Sequence, residues 1–148
     1  LSAPASERFD RDILAQQGVT DLVIFEGVND IGGIGDDGAN TVRMLTKFYT
    51  LFAKKAKEKG MRVYGGTIMP FKNSSFYSDT HEKARQAVNK WIRTADVYDG
   101  VIDFDKATLD PQNPEALQEN LQSDWLHPNP DGYKVMGECA ASVVKNEE

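Results

Sequence analysis

Hydrophobic positions along the chain switch between two periods. Leu22-Val-Ile-Phe25 is an unbroken apolar run, the pattern of a parallel strand covered on both faces. It predicts a strand over Asp21 to Glu26. The run breaks at Gly27, and Asn29 and Asp30 follow just past the strand's carboxyl end. After a Gly/Asp-rich loop, Val42, Leu45, Tyr49, Phe52, Ala53 and Ala56 recur at three-and-four spacing. That is one side of an amphipathic helix, and Gly60 is suited to end it. Met61 to Ile68 reads as a second strand. Asp79, with Glu82 three residues on, reads as a capping box. The helix it opens carries Ala84, Ala87, Val88, Trp91 and Ile92. Gly100 to Phe104 reads as a third strand, and a last helix runs from about Asp131 or Gly132 to Val144. Two weaker signals complete the pattern: a short helix over 6–16 built on Phe9, Ile13 and Leu14, and another around Pro114 to Leu121 within a polar, proline-broken stretch.

Strands that alternate with helices predict parallel pairing through right-handed crossovers, hence a three-layer α/β sandwich. Ligand sites in open sheets of this kind form at the carboxyl ends of the strands, which nominates Asn29 and Asp30 directly. With 148 residues and no internal repeat or linker, residues 1–148 form one domain. A net charge of −6 excludes nucleic acid as a natural partner. The run Lys54-Lys-Ala-Lys-Glu-Lys59 reads as the solvated side of a helix. No apolar stretch is long enough for a transmembrane helix. The single Cys139 reads as a small core residue rather than a nucleophile. Asn73-Ser-Ser75 matches the N-glycosylation pattern and points weakly to secretion.

Three stretches are candidates for chemistry. Gly33-Ile-Gly-Asp-Asp-Gly38 matches G-x-G-x-x-G literally. It starts well past the strand end, however, and its two aspartates would repel a pyrophosphate, so it reads as a solvated loop. The Gly27-Val-Asn-Asp30 turn could aim an amide at an oxyanion. On spacing alone it reads equally as a turn stabilised by its Asn and Asp side chains. Asp124-Trp-Leu-His127 could hold an imidazole in one tautomer, as a general base requires. His81, in the first turn of a helix, reads as structural. Neither a His-x-x-x-His pair nor a third soft ligand accompanies His127, Asp124 and Asp131, which argues against a metal site.

The combination of Val23-Ile-Phe-Glu-Gly-Val-Asn-Asp-Ile-Gly32 with Asp124-Trp-Leu-His-Pro-Asn-Pro-Asp-Gly-Tyr133 resembles the third and fifth signature blocks of the GDSL-like, or SGNH, hydrolases. Gly65-Gly-Thr-Ile-Met-Pro70 and Val101-Ile-Asp-Phe-Asp105 resemble that family's later strands, and Arg8 to Leu14 fits the stretch before the asparagine-bearing strand. The resemblance implies a serine esterase on a flavodoxin-like sandwich that needs neither metal nor organic cofactor. By resemblance, Asn29 is an oxyanion-hole donor, His127 the general base and acid, and Asp124 its orienting partner. Gly27 and Asp30 would support the turn.

The sequence departs from the family at its first two signature blocks, which carry the nucleophile and a glycine N–H of the oxyanion hole and are both missing here. No Gly-Asp-Ser occurs in it, and no serine follows an apolar strand. The resemblance therefore implies that the nucleophile and the first two strands of the sheet lie on a further N-terminal segment or a second chain. That segment is expected to pair with Leu22 to Phe25, whose exposed edge would otherwise invite aggregation. The implied substrates are small-molecule or carbohydrate esters, with lipids less favoured. Trp125, Phe71, Phe76 and Tyr77 could line an acyl or sugar site or serve as packing. Two other readings stay open: a non-catalytic ligand- or carbohydrate-binding relative of the same fold, and a flavodoxin-like signalling domain.

Overall fold

The structure, a computed structural model, describes residues 21–25, 27–32 and 38–144, and at Asn29 the backbone alone. The helix expected over 6–16 and most of the G-x-G-x-x-G loop, residues 33–37, lie outside the described residues. In chain order the first elements are β1 (Asp21–Ile24), α1 (Val28–Gly32), α2 (Ala39–Glu58), β2 (Arg62–Gly66), α3 (Asp79–Thr94) and β3 (Gly100–Ile102). After them come α4 (Phe104–Thr108), β4 (Leu109–Asp110), β5 (Asn113–Leu117), a 3-10 turn (Glu119–Leu121) and α5 (Pro130–Val144).

β1, β2 and β3 form a parallel sheet in that order, with Leu22 opposite Val63 and Tyr64 opposite Gly100. Helix α2 makes the first crossover and α3 the second. Both lie on one side of the sheet, where Leu45, Tyr49, Phe52, Ala53, Ala84, Val88 and Ile92 bury against Ile24 and Val63. Helix α5 covers the other side through Met136, Cys139, Ala140 and Val143, packed on Tyr64, Ile102 and Phe104. Burying a large apolar side chain contributes about 1.5–3 kcal/mol, so these two clusters hold the layers together. The outcome is the expected three-layer α/β sandwich. Among the described residues β1 pairs only with β2, and its outward residues Val23 and Phe25 are 40% and 38% exposed. No described helix is long and apolar enough to cross a membrane.

The structure corrects several local expectations. The cap of α3 is Ser78, whose Oγ accepts the N–H of His81, so no Asp79–Glu82 box forms. Glu82 instead turns inward to Arg85. Ala87 is exposed, while the polar Arg85 and Asn89 take buried positions on α3. Phe104 opens α4 instead of ending β3. The helix expected around Pro114 to Leu121 is replaced by the β4–β5 hairpin and the 3-10 turn. Asp110-Pro111 makes the hairpin turn, with Asp110 Oδ1 accepting the N–H of Gln112 at 2.9 Å. Pairing with Leu109 and burial of Ala116 and Leu117 then outweigh local helix preference.

Candidate active site

The chain leaves β1 through Gly27, where φ is +131°. A Cβ there would sit 2.7 Å from Tyr49 Oη and 3.0 Å from Ile68 Cδ1. Both the conformation and the close approach therefore call for glycine. Gly27 O accepts the N–H of Ile31 at 2.9 Å, so Val28 to Gly32 coil into α1. Asn29 and Asp30 thus stand at the start of a short helix, in place of the expected open turn. Asp30 is exposed.

The other expected residues lie in the loop between the 3-10 turn and α5. Both ends of this loop are tied. Asn129 N–H donates to Leu121 O at 3.0 Å, and Ser123 N–H donates to His127 O at 3.1 Å. The Asn129 side chain donates to Asn120 O at 2.9 Å and accepts the N–H of Gly132 at 2.9 Å, capping α5. Within the loop, Asp124 Oδ1 accepts the N–H groups of His127 at 2.7 Å and Leu126 at 3.0 Å. Asp124 Oδ2 lies 2.7 Å from His127 Nδ1. Trp125 between them takes φ +63°, with its N–H on Gln122 Oε1. A non-glycine residue held there is strained by roughly 1–2 kcal/mol.

These contacts have a chemical consequence. An ionised carboxylate can only accept, so in the neutral ring the proton sits on Nδ1 and the lone pair on Nε2, the tautomer a general base requires. The N–H and then the ring of His127, with the Leu126 N–H, hold the Asp124 carboxyl down at about 2. Asp124 therefore stays ionised throughout the range in which a histidine works. The two side chains are 54% and 65% exposed.

His127 and Asp124 border a cavity of about 580 Å³ together with Gly27 and Val28. Ile68, Met69, Phe76 and Leu126 give it an apolar lining, and Ser75 adds a hydroxyl. The Gly27 and His127 stretches, about a hundred residues apart in sequence, thus reach one hollow at the carboxyl ends of β1 and β2, where open α/β sheets bind ligands. His81 does not border it. Its N–H caps on Ser78, and its Nδ1 contacts Phe76 O. Of the aromatic candidates, Phe76 lines the cavity, Phe71 is fully buried, and Tyr77 donates to Glu115 at 2.7 Å. Among the described residues no group of three or more His, Cys, Asp or Glu is gathered to hold a metal ion.

Sequence reasoning missed a polar group beneath the cavity. Arg85, fully buried, donates to both carboxylate oxygens of Glu82 at 2.8 Å, to Asp105 at 2.7 Å and to Ile68 O at 3.0 Å. Arg93 reaches Asp103 and Asp105 at 2.8–2.9 Å. Burial pushes the Asp103 carboxyl up, but the bonds from Arg93, the Lys106 N–H and Thr67 together outweigh it and hold the group below the usual carboxylate range. The signal in the sequence was Glu82, Arg85 and Asn89 recurring at helical spacing on the same side as Ala84, Val88 and Ile92.

The fold has counterparts among solved structures. A GDSL-like lipase from Bacteroides thetaiotaomicron superposes with a TM-score of 0.70 at 19% identity, over 92% of this chain and 66% of that one. A protein from Desulfitobacterium hafniense, described as lipolytic and of the G-D-S-L family, gives 0.69 at 23%, over 92% and 71%. One from Bacteroides fragilis, described as an acylhydrolase, gives 0.69 at 19%, over 92% and 65%. At these identities the likeness is one of fold, and this chain spans about two thirds of the length of those proteins. A search of curated proteins finds no match. The sequence model of the GDSL-like lipase/acylhydrolase family, however, matches residues 2–135. With nearly the whole chain matched, the protein belongs to the GDSL-like lipase/acylhydrolase family.

Proposed function

We propose that this chain is part of a carboxylic-ester hydrolase working through a Ser-His-Asp triad, with the serine on a segment outside the given sequence. That segment, or a second chain, would also complete the sheet beside Leu22 to Phe25. His127 takes the serine proton as the hydroxyl attacks the ester carbonyl. The tetrahedral oxyanion forms and collapses, the alcohol leaves with the proton from His127, and an acyl-serine remains. His127 then takes a proton from a water molecule as it attacks the acyl carbonyl, and returns that proton to the serine oxygen as the acyl–serine bond breaks and the carboxylic acid leaves. Asp124 holds the imidazole, Asn29 donates to the oxyanion, and Gly27 and Asp30 support the turn that carries it. Substrates on this reading are small-molecule or carbohydrate esters. The Asn73-Ser-Ser75 sequon, exposed at Asn73, supports a secreted location.

The observation that carries the proposal is the 2.7 Å contact of His127 Nδ1 with Asp124 at the rim of a cavity walled by Gly27 and Val28. The test is hydrolysis of p-nitrophenyl acetate by the natural protein. His127→Ala should lose roughly a million-fold in kcat, the size of effect seen when a triad base is removed. His81→Ala should keep most of the activity. Equal losses from both, or a natural protein without turnover, would overturn the reading; the second outcome would favour a binding protein of the same fold.

A further inference from the structure

Among the described residues, Ile68 is the first beyond β2 with no strand beside it. Thr67 N–H still reaches Ile102 O at 3.1 Å, but β3 ends there. The Ile68 peptide is nevertheless buried, and an unpaired backbone group in such a place is costly. Asn89, on α3, supplies the missing neighbour. Its Oδ1 accepts the Ile68 N–H at 2.7 Å and its Nδ2 donates to Ile68 O at 2.8 Å. One carboxamide therefore makes both bonds that a flanking strand would have made. Arg85 adds a third bond, to Ile68 O at 3.0 Å, and is itself fixed by Glu82 and Asp105. A leucine would pack against Val88 and Ile92 without burying an amide, so packing alone does not explain an asparagine here.

The peptide held in this way carries a wall of the cavity. The Ile68 side chain abuts Gly27 and, with Met69, lines the hollow that His127 borders. We propose that Asn89 is a positioning residue, backed by Arg85, which holds the Ile68–Met69 wall, and that this wall decides how long an acyl group the cavity accepts. The second half rests on the esterase reading above. The first half stands on the hydrogen bonds alone.

The test compares Asn89→Leu with Val88→Ala in the natural protein. Val88→Ala removes buried volume from the same helix without removing either Asn89–Ile68 hydrogen bond. Two quantities are read: amide hydrogen exchange at Ile68, and the ratio of kcat/KM for p-nitrophenyl butyrate to that for the acetate. Asn89→Leu should speed exchange at Ile68 by at least about tenfold beyond any change in global stability, and should shift the ester ratio about fivefold or more. Val88→Ala should leave both unchanged once stability is allowed for. Should Asn89→Leu not fold, Asn89→Ser, which is too short to make both bonds, takes its place with the same expectations. Unchanged exchange at Ile68 overturns the positioning role. Faster exchange with an unchanged ester ratio overturns the specificity role and leaves catalysis by His127 untouched. A wild-type protein with no turnover sinks the esterase reading and the specificity role with it, while the exchange result still decides whether Asn89 holds the wall.

Discussion

Two polar clusters lie at the carboxyl end of the sheet, and they are built on opposite principles. The Glu82–Arg85–Asp105–Arg93–Asp103 group joins α3 to the residues just after β3, and its central guanidinium is fully buried. The Asp124–His127 pair stands in solvent on a loop, three residues apart in sequence. The buried group ties guanidinium groups of α3 to carboxylates that follow β3, and removing a member leaves buried charge short of a partner. The exposed pair is held by its own backbone: Asp124 accepts two N–H groups of the loop before it meets the ring. A buried network thus makes a rigid frame, whereas a local one can orient a reactive side chain and leave it open to a substrate.

The sharpest way to break that contrast is to delete one member of each. Arg85→Ala leaves Glu82 without its ion pair and Asp105 with Arg93 alone, and should lower stability by about 3–5 kcal/mol in urea titration. Asp124→Ala should leave the unfolding midpoint nearly where it was, since a solvent-exposed pair contributes little to stability. Similar losses from both would show that the exposed loop is part of the frame after all.

A smaller effect tests how the loop is anchored. A Cβ on Gly132 would lie 2.2 Å from Leu121 O and 2.9 Å from Pro128 Cβ. Gly132→Ala should therefore push α5 away from the 3-10 turn and lower stability by about 1–3 kcal/mol. It should also disturb the Asp124–His127 contact, visible as a changed histidine ring resonance. A neutral outcome would mean that the loop keeps its geometry without that close packing.

The smallest effect is electrostatic. The Asp124 carboxyl is held down at about 2, so its bonds to the loop persist above the usual range near 4 and are lost as pH falls towards 2. Asp103 shifts in the same direction against its burial, through Arg93 on α3, the local Lys106 N–H and Thr67. A carbon-detected NMR titration of Asp124 should give a midpoint near 2 that holds in Arg85→Ala if the domain stays folded. A midpoint near 4 would contradict the loop geometry.

Much of the fold was legible from local pattern. The strand at Leu22 to Ile24, which stops short of the expected Glu26 and leaves Val23 exposed, and the α2 positions Leu45, Tyr49, Phe52, Ala53 and Ala56 fell where the structure has them. Strand ends were overrun, at Phe104 for instance, because a run of apolar residues does not say where the sheet's neighbour stops. The hairpin at Leu109 to Leu117 was missed because its pairing is tertiary and Pro114 discourages a strand reading. The candidate site was legible where it is local, as with Asp124 and His127, which a tight loop can bring together.

By itself, then, the sequence determined the alternation of strands and helices, the sides that would be buried, and a carboxylate and an imidazole within reach of each other. All of these follow from spacings of a few residues. Only the tertiary structure decided that Asn89 would serve as the missing strand beside Ile68, that Arg85 would sit at the centre of a buried ionic group, and that Gly27, Ile68, Phe76 and His127 would border one cavity. Whether a polar side chain is an error or a clamp depends on what the fold sets opposite it, and a one-dimensional pattern of polarity does not carry that information.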